Sequence, residues 1–268
     1  MNFVTYAQLA EDVTKWSSRL ARDFDAVLGV PRSGIIPASI FGLHRNIKVG
    51  DLKGTFKGGF RDGKRIVKKV LVLDDSSLTG KSILRARTQS RTLPFDCTFG
   101  AVYATRRALP HLDCYFKILP TPRIFEWNIY HHSILRHACV DIDGVLCVDP
   151  TTAENDDGKR YIQFLKTARP LHLPTVEVAA LVTNRLEKYR PQTEEWLAQH
   201  NVKYKKLVMH PAKSKAERIK MGHVTTKARE YANINYSLFI ESSKRQSSGI
   251  HRATQKPVLC VETMELLK

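Results

Sequence analysis

The chain has 268 residues, 43% of them hydrophobic, which exceeds the ~100–200 residues of an ordinary domain and suffices for two cores. A formal charge of +17 is spread over both halves, with 21 Lys and Arg against 11 Asp and Glu in residues 1–135 and 22 against 15 in the rest, and suits anionic substrates. No run approaches the ~20 apolar residues of a membrane helix, and five cysteines (Cys97, Cys114, Cys139, Cys147, Cys260) are an odd number without paired spacing, so membrane insertion, secretion and a disulfide framework are not expected; free thiols in a reducing cytoplasm are.

In chain order, a short mixed segment bearing Glu11 and Asp12 precedes the apolar strand Val27-Leu28-Gly29-Val30, which ends in the turn Pro31-Arg32-Ser33-Gly34. Residues 53–64 are glycine-rich and basic and read as a hairpin with solvated charges or a cover for an anion. Val70-Leu71-Val72-Leu73 reads as a buried parallel strand followed by the adjacent carboxylates Asp74 and Asp75, then by a Ser/Thr/Gly turn that opens a helix. Open α/β sheets bind ligands at the carboxyl ends of their strands. Carboxylates there accept hydrogen bonds from sugar hydroxyls, and the N–H groups and hydroxyls of residues 76–82 suit an anion, so the order fits a phosphorylated sugar. Gly80-Lys81-Ser82 has the tail of a P-loop, but Asp75 stands where its first glycine belongs, and a carboxylate there would face the phosphates. Ala101-Val102-Tyr103-Ala104-Thr105 alternates like another strand, and Pro110, Pro120 and Pro122 punctuate the approach to a boundary predicted near residues 128–137. Tyr130-His131-His132 lies beside it, without partners at ligand spacing, and is read as structural.

The strand, acidic pair and Thr-Gly turn resemble the 5-phosphoribosyl-1-pyrophosphate (PRPP) motif of the type I phosphoribosyltransferases, and Gly29-Val30-Pro31-Arg32-Ser33-Gly34 resembles that family's pyrophosphate loop. The resemblance implies that Arg32, Ser33 and Gly34 hold pyrophosphate, that Asp74 and Asp75 hold the ribose hydroxyls, and that Ser77, Leu78, Thr79, Gly80, Lys81 and Ser82 wrap the 5-phosphate. Lys81 departs from the small residue usual after Thr-Gly. It implies Mg²⁺ held largely through substrate oxygens and water, a nitrogenous base as nucleophile, and residues 53–64 as the loop that covers PRPP. Phe125 and Trp127, in Arg123-Ile124-Phe125-Glu126-Trp127-Asn128, are the candidates to stack the base, with packing as the competing role. A homodimer is also expected from this resemblance.

A second chemistry begins at Ala138-Cys139-Val140-Asp141-Ile142-Asp143-Gly144, an apolar strand ending in Asp-x-Asp-Gly that resembles the first motif of the haloacid dehalogenase-like (HAD) hydrolases. The resemblance implies Asp141 as nucleophile toward phosphorus and Asp143 as acid/base. Leu181-Val182-Thr183-Asn184-Arg185 resembles the second motif, with Thr183 and Asn184 on the phosphate; Lys227 is preferred over Lys213 or Lys215 as the third-motif lysine. Ser237-Leu238-Phe239-Ile240-Glu241 resembles the fourth, so that Asp141, Asp143 and Glu241 would form the metal set, although Ser242 and Ser243 stand where many members carry a second acid. About 35 residues separate the first two motifs, room for a small flap and a helix but no large cap; residues 154–158 there read most simply as a solvated turn, with a place over the hydrolase pocket as the alternative. Residues 185–199 read as a helix with Leu186, Tyr189, Trp196 and Leu197 inward, and 226–231 as another.

The expected fold is therefore α/β, two Rossmann-like domains with mainly parallel sheets: a phosphoribosyltransferase-like domain over 1–130 and a HAD-like domain with minimal cap over 136–268. The expected function is a bifunctional enzyme of nucleotide metabolism that transfers phosphoribose from PRPP to a base and cleaves a phosphate ester on a small molecule. The alternative is a PRPP-sensing or nucleic-acid-binding regulator with one or both domains inactive. No basic run interleaved with aromatics and no known RNA-binding module favours nucleic acid, and no membrane partner is expected.

Overall fold

The structure is a computed structural model and describes residues 1–52, 61–62 and 65–268. The expected PRPP-covering loop, 53–64, lies outside the described residues apart from the two-residue strand that precedes Gly63. The chain divides into two units, Met1–Trp127 and Asn128–Lys268.

In the first unit the elements are β1 (Asn2–Val4), α1 (Tyr6–Arg19), β2 (Ala26–Gly29), α2 (Ile35–Arg45), β3 (Lys48–Asp51), β4 (Arg61–Asp62), β5 (Arg65–Ile66), β6 (Lys69–Ser77), α3 (Lys81–Ser90), β7 (Asp96–Ala104), β8 (Cys114–Ile118) and β9 (Arg123–Phe125). Thr5 starts α1, its hydroxyl accepting the Gln8 N–H at 3.1 Å, and Leu9, Val13 and Trp16 then recur on one buried stripe. Asn46 ends α2 in the left-handed conformation (φ 53°).

Five strands form a parallel sheet in the order β3-β2-β6-β7-β8. Strand alternation sends Val27, Leu71 and Leu73 to one face, under Leu9, Val13, Trp16 and Phe41 of α1 and α2, and sends Ala26, Leu28, Val70 and Val72 to the other, under Ile83 and Ala86 of α3. The chain leaves β2 for one edge of the sheet and leaves β6 for the other, so the carboxyl ends of β2 and β6 flank the topological switch point where such sheets bind ligands. β6 is longer than its apolar run. It continues through Asp74 and Asp75 to Ser77, because β7 keeps pairing alongside as far as Ser77↔Ala104.

The second unit contains β10 (Ala138–Val140), α4 (Lys159–Thr167), β11 (Val178–Leu186), α5 (Arg190–Gln199), β12 (Tyr204–His210), α6 (Lys215–Met221), α7 (Thr225–Tyr231), β13 (Leu238–Glu241), α8 (Lys244–Thr254), β14 (Val258–Cys260) and β15 (Glu265–Leu267). Its sheet order is β12-β11-β10-β13-β14-β15, parallel except for β15 at the edge. β10, fully buried, is central, and the order reverses between β10 and β13. The predicted helix over 185–199 begins later: Arg185 and Leu186 still belong to β11, where Leu186 pairs with His210, and α5 starts at Arg190 with Pro191 in its first turn. α4 is the one helix between β10 and β11 among the described residues. The residues 154–158 ahead of it are more than a solvated turn: Asp156 accepts the N–H groups of Gly158 and Tyr161, and Asp157 accepts the Tyr189 hydroxyl and the Lys215 N–H.

Candidate functional sites

In the first unit, the Val30 N–H donates to the Leu73 carbonyl at 2.9 Å, which ties the turn after β2 to β6. A Cβ on Gly34 would lie 2.6 Å from both the Leu73 and Val30 carbonyl oxygens, so only glycine lets this turn fold back so tightly. Arg32 is exposed, Ser33 half-buried, and the peptide between Pro31 and Arg32 is cis. Across the switch point, the two carboxyls of the acidic pair stay within hydrogen-bond reach of each other, and the Asp75 N–H donates to Asp74 at 3.0 Å. Asp74 turns toward α3 and accepts the Ser82 hydroxyl at 2.7 Å, while Asp75 accepts the Trp127 indole N–H at 2.7 Å. Both are nearly buried, and burial pushes both carboxyls above the usual range, Asp74 further because the Asp75 charge adds to it.

The turn at 78–80 is braced from β7, where the Thr105 N–H donates to the Ser77 carbonyl and its hydroxyl to the Leu78 carbonyl. Lys81 and Leu78 are exposed, and the buried Ser77 hydroxyl has no partner among the described residues. The two base-stacking candidates part company. Phe125 is a core residue whose ring packs against Tyr103, Trp127 and the Arg123 guanidinium. Trp127 is partly exposed and its N–H orients Asp75, a role its spacing in the sequence did not suggest. Arg123, buried beside the acidic pair, was also missed; burial lowers its pKa against the opposing pull of Asp75 and Asp74.

In the second unit Asp141 follows the central strand, its N–H donating to the Ile240 carbonyl of β13, and one carboxylate oxygen accepts the Ile142 N–H at 2.8 Å. Lys227 of α7, 1% exposed, donates to Asp141 at 2.6 Å, to Glu241 at 2.7 Å and to the Gln246 amide oxygen at 3.0 Å. One ammonium set between two buried carboxylates cannot neutralise both, and burial pushes the Asp141 carboxyl well up. For Lys227, burial disfavours the charge, but the two carboxylates outweigh it and hold the ammonium above its ordinary range. Lys215 sits elsewhere, donating to the Asn155 carbonyl.

Asp143 differs from expectation. Both its oxygens accept from the fully buried Arg185, Nε at 3.1 Å to each and Nη2 at 2.6 Å to one, in a bidentate pair. Burial works against the Arg185 charge, and the Asp143 carboxylate outweighs it. With one carboxylate turned to Arg185 and two bridged by Lys227, the set Asp141, Asp143 and Glu241 does not converge on one point, and among the described residues no group of three His, Cys, Asp or Glu is placed to hold a metal ion. Thr183 is fully buried and accepts the Arg185 N–H, so Asn184 is the member of that pair that lines the cleft.

The cleft, about 150 Å³, brings together Asp141, Asp143, Asn184 and Lys227. The sharp turn that carries the two aspartates depends on Gly144, at φ +73°, where a Cβ would meet Ser242 at 2.5 Å. Arg185 and Gln246 were not assigned roles from sequence, though signals existed: Arg185 shares strand parity with Thr183, and Ser243-Lys244-Arg245-Gln246 has the spacing of a helix capping box, with the Ser243 hydroxyl accepting the Gln246 N–H.

Fold and sites thus define a chain of two doubly wound α/β units, each with carboxylates gathered at a sheet switch point. No protein-family model and no curated protein matches the chain. Among solved structures, the chain is similar to a purine phosphoribosyltransferase from Pyrococcus horikoshii Ot3 (22% identity over 47% of this chain and 94% of that one, TM-score 0.39) and to the xanthine-guanine-hypoxanthine phosphoribosyltransferase of Helicobacter pylori (17%, 48% and 95%, TM-score 0.37). It is also similar to a chain of the Pnkp1/Rnl/Hen1 RNA repair complex (13% identity, 97% of this chain and 94% of that one, TM-score 0.32). Identities and TM-scores this low assign no activity.

Proposed function

We propose that the first unit transfers phosphoribose from PRPP to a nitrogenous base and that the second is a HAD-like phosphatase. The observation that carries the reading is that in both sheets the acidic side chains named from sequence stand at the switch point, beside an anion-compatible turn in one and an ammonium in the other.

In the first unit the turn after β2 would take pyrophosphate, residues 77–82 the 5-phosphate, and Asp74 and Asp75 the ribose hydroxyls. Mg²⁺, arriving on PRPP oxygens, would offset the charge of the departing pyrophosphate. The chain's own part is to hold the sugar so that the base, on the side of Trp127, attacks the anomeric carbon.

In the second unit Asp141 would attack phosphorus, forming an O–P bond as the ester P–O bond breaks and the leaving oxygen takes a proton from Asp143. Water would then cleave the aspartyl phosphate, with Asp143 accepting its proton and orthophosphate departing. Lys227 holds Asp141 and offsets charge; no step is derived through a metal there, because the three carboxylates do not form a ligand set.

The test is incubation with Mg²⁺, PRPP and a panel of purine and pyrimidine bases, following pyrophosphate and phosphate separately. Base-dependent pyrophosphate release should be lost in Asp75→Asn and phosphate release from nucleotides in Asp141→Asn. Silence in both channels, with PRPP still bound, would replace this reading by that of a PRPP-sensing regulator.

A further inference from the structure

Two cavities of the second unit meet at His223 and Gln246: the cleft that holds Asp141 and a larger one of about 480 Å³ with Ile219, Val224 and Arg245 in its walls. That volume falls within the ~300–1,000 Å³ of small-molecule sites. Arg218 lines the cleft although only 9% exposed. Its Nη1 donates to the Asn184 carbonyl at 3.0 Å, and its buried Nε has no partner among the described residues. Among the described residues no carboxylate forms an ion pair with Arg218 or Arg245, whereas Arg185 and Lys227 each have one or more. Burial first, and then the neighbouring Arg218, Lys227, His210 and Arg245, push His223 below the ordinary histidine range. A buried guanidinium without a counterion is costly, and an anion would offset that cost at Arg218, whereas Arg245 is exposed and reaches solvent.

We propose that His223 and Arg245 in the wall of the larger cavity, with Arg218 in the wall of the adjoining cleft, form a second anion subsite, so that the second unit acts on a phosphomonoester whose leaving group carries another phosphate and occupies the larger cavity. The proposal rests on the hydrolase reading above. The shared chemistry, two phosphates one nucleoside apart, is offered both by a free nucleoside bisphosphate and by a phosphate-terminated oligonucleotide.

The test compares kcat/KM for adenosine 3′,5′-bisphosphate, for a short oligonucleotide ending in a 3′-phosphate, and for the adenosine 3′- and 5′-monophosphates. The wild-type protein should prefer a two-phosphate substrate at least tenfold, and whichever of the two is preferred identifies the source. Arg245→Gln, and Arg218→Lys as a second variant that keeps the charge but not the fork, should lower that preference at least tenfold. Equal activity on one- and two-phosphate substrates, or an undiminished preference in Arg245→Gln, would overturn the proposal. Calorimetric titration of Asp141→Asn with adenosine 3′,5′-bisphosphate separates the two readings. Binding weakened tenfold by adding Arg245→Gln, in a protein whose wild type hydrolyses nothing, would retain the subsite and refute the hydrolase; hydrolysis indifferent to Arg245 would do the reverse.

Discussion

Lys227→Met is the sharpest perturbation of the second unit. Methionine keeps much of the stem's volume and deletes the ammonium, leaving Asp141 and Glu241, 4% and 0% exposed, without the cation that stood 2.6 and 2.7 Å from them. Removing one partner of a buried ion pair costs about 3–5 kcal/mol when the remaining charge persists. Asp141 can escape that cost by binding a proton. Burial already pushes its carboxyl well up, and losing the Lys227 charge pushes it further, so stability is complete below the unfolded value and is lost as pH rises through the folded one. Urea denaturation followed by far-UV circular dichroism should therefore show a deficit of about 3–5 kcal/mol at pH 8 that shrinks markedly at pH 5. Adding Glu241→Gln removes one stranded charge and should return at least about 1 kcal/mol at pH 8. A loss below about 1 kcal/mol at pH 8, or one equal at the two pH values, would refute the view that Lys227 is the neutralising cation of the site.

Three further outcomes follow from the geometry. Burial and the Asp75 charge hold the Asp74 carboxyl well above its ordinary range, so ionising it opposes folding and the first unit's stability falls as pH rises through that raised value; Asp74→Asn should flatten the dependence, read as a smaller difference between denaturation midpoints at pH 5 and pH 8 than in the wild type. Gly144→Ala places a Cβ 2.5 Å from Ser242 at φ +73° and should destabilise the second unit by about 2–4 kcal/mol in chemical denaturation. Arg185→Lys keeps the charge but loses the bidentate grip on Asp143 and the contact with Cys147 Sγ; leaving buried acceptors half-satisfied should cost about 1–3 kcal/mol, and a change below about 0.5 kcal/mol would mean that the fork geometry is immaterial.

The sequence alone determined the local grammar of both sites. Apolar runs at Val70–Leu73, Ala138–Val140 and Leu238–Ile240 can be buried on both faces only as interior parallel strands, and the carboxylates that follow them mark their carboxyl ends. That local pattern, joined to the family resemblances it carries, named Asp74, Asp75, Asp141 and Glu241, because strand, turn and helix start are decided within about ten residues of each other. What tertiary structure decided were the partners. Arg185 lies 42 residues from Asp143 and Trp127 lies 52 from Asp75, and each pair meets because sheet order and helix placement bring together segments whose sequences say nothing of one another; Lys227, 86 residues from Asp141, was named from the third-motif resemblance, and its shared contact with Asp141, Glu241 and Gln246 came from the fold. Tertiary structure also paired Asp143, still on the cleft wall, with Arg185, and placed Phe125 in the core, the packing role that competed with base stacking. A side chain's chemistry is written at its own position, but burial and the charge it faces belong to the assembled fold, and those two quantities set whether a carboxylate or a guanidinium is spent on structure or left for a ligand.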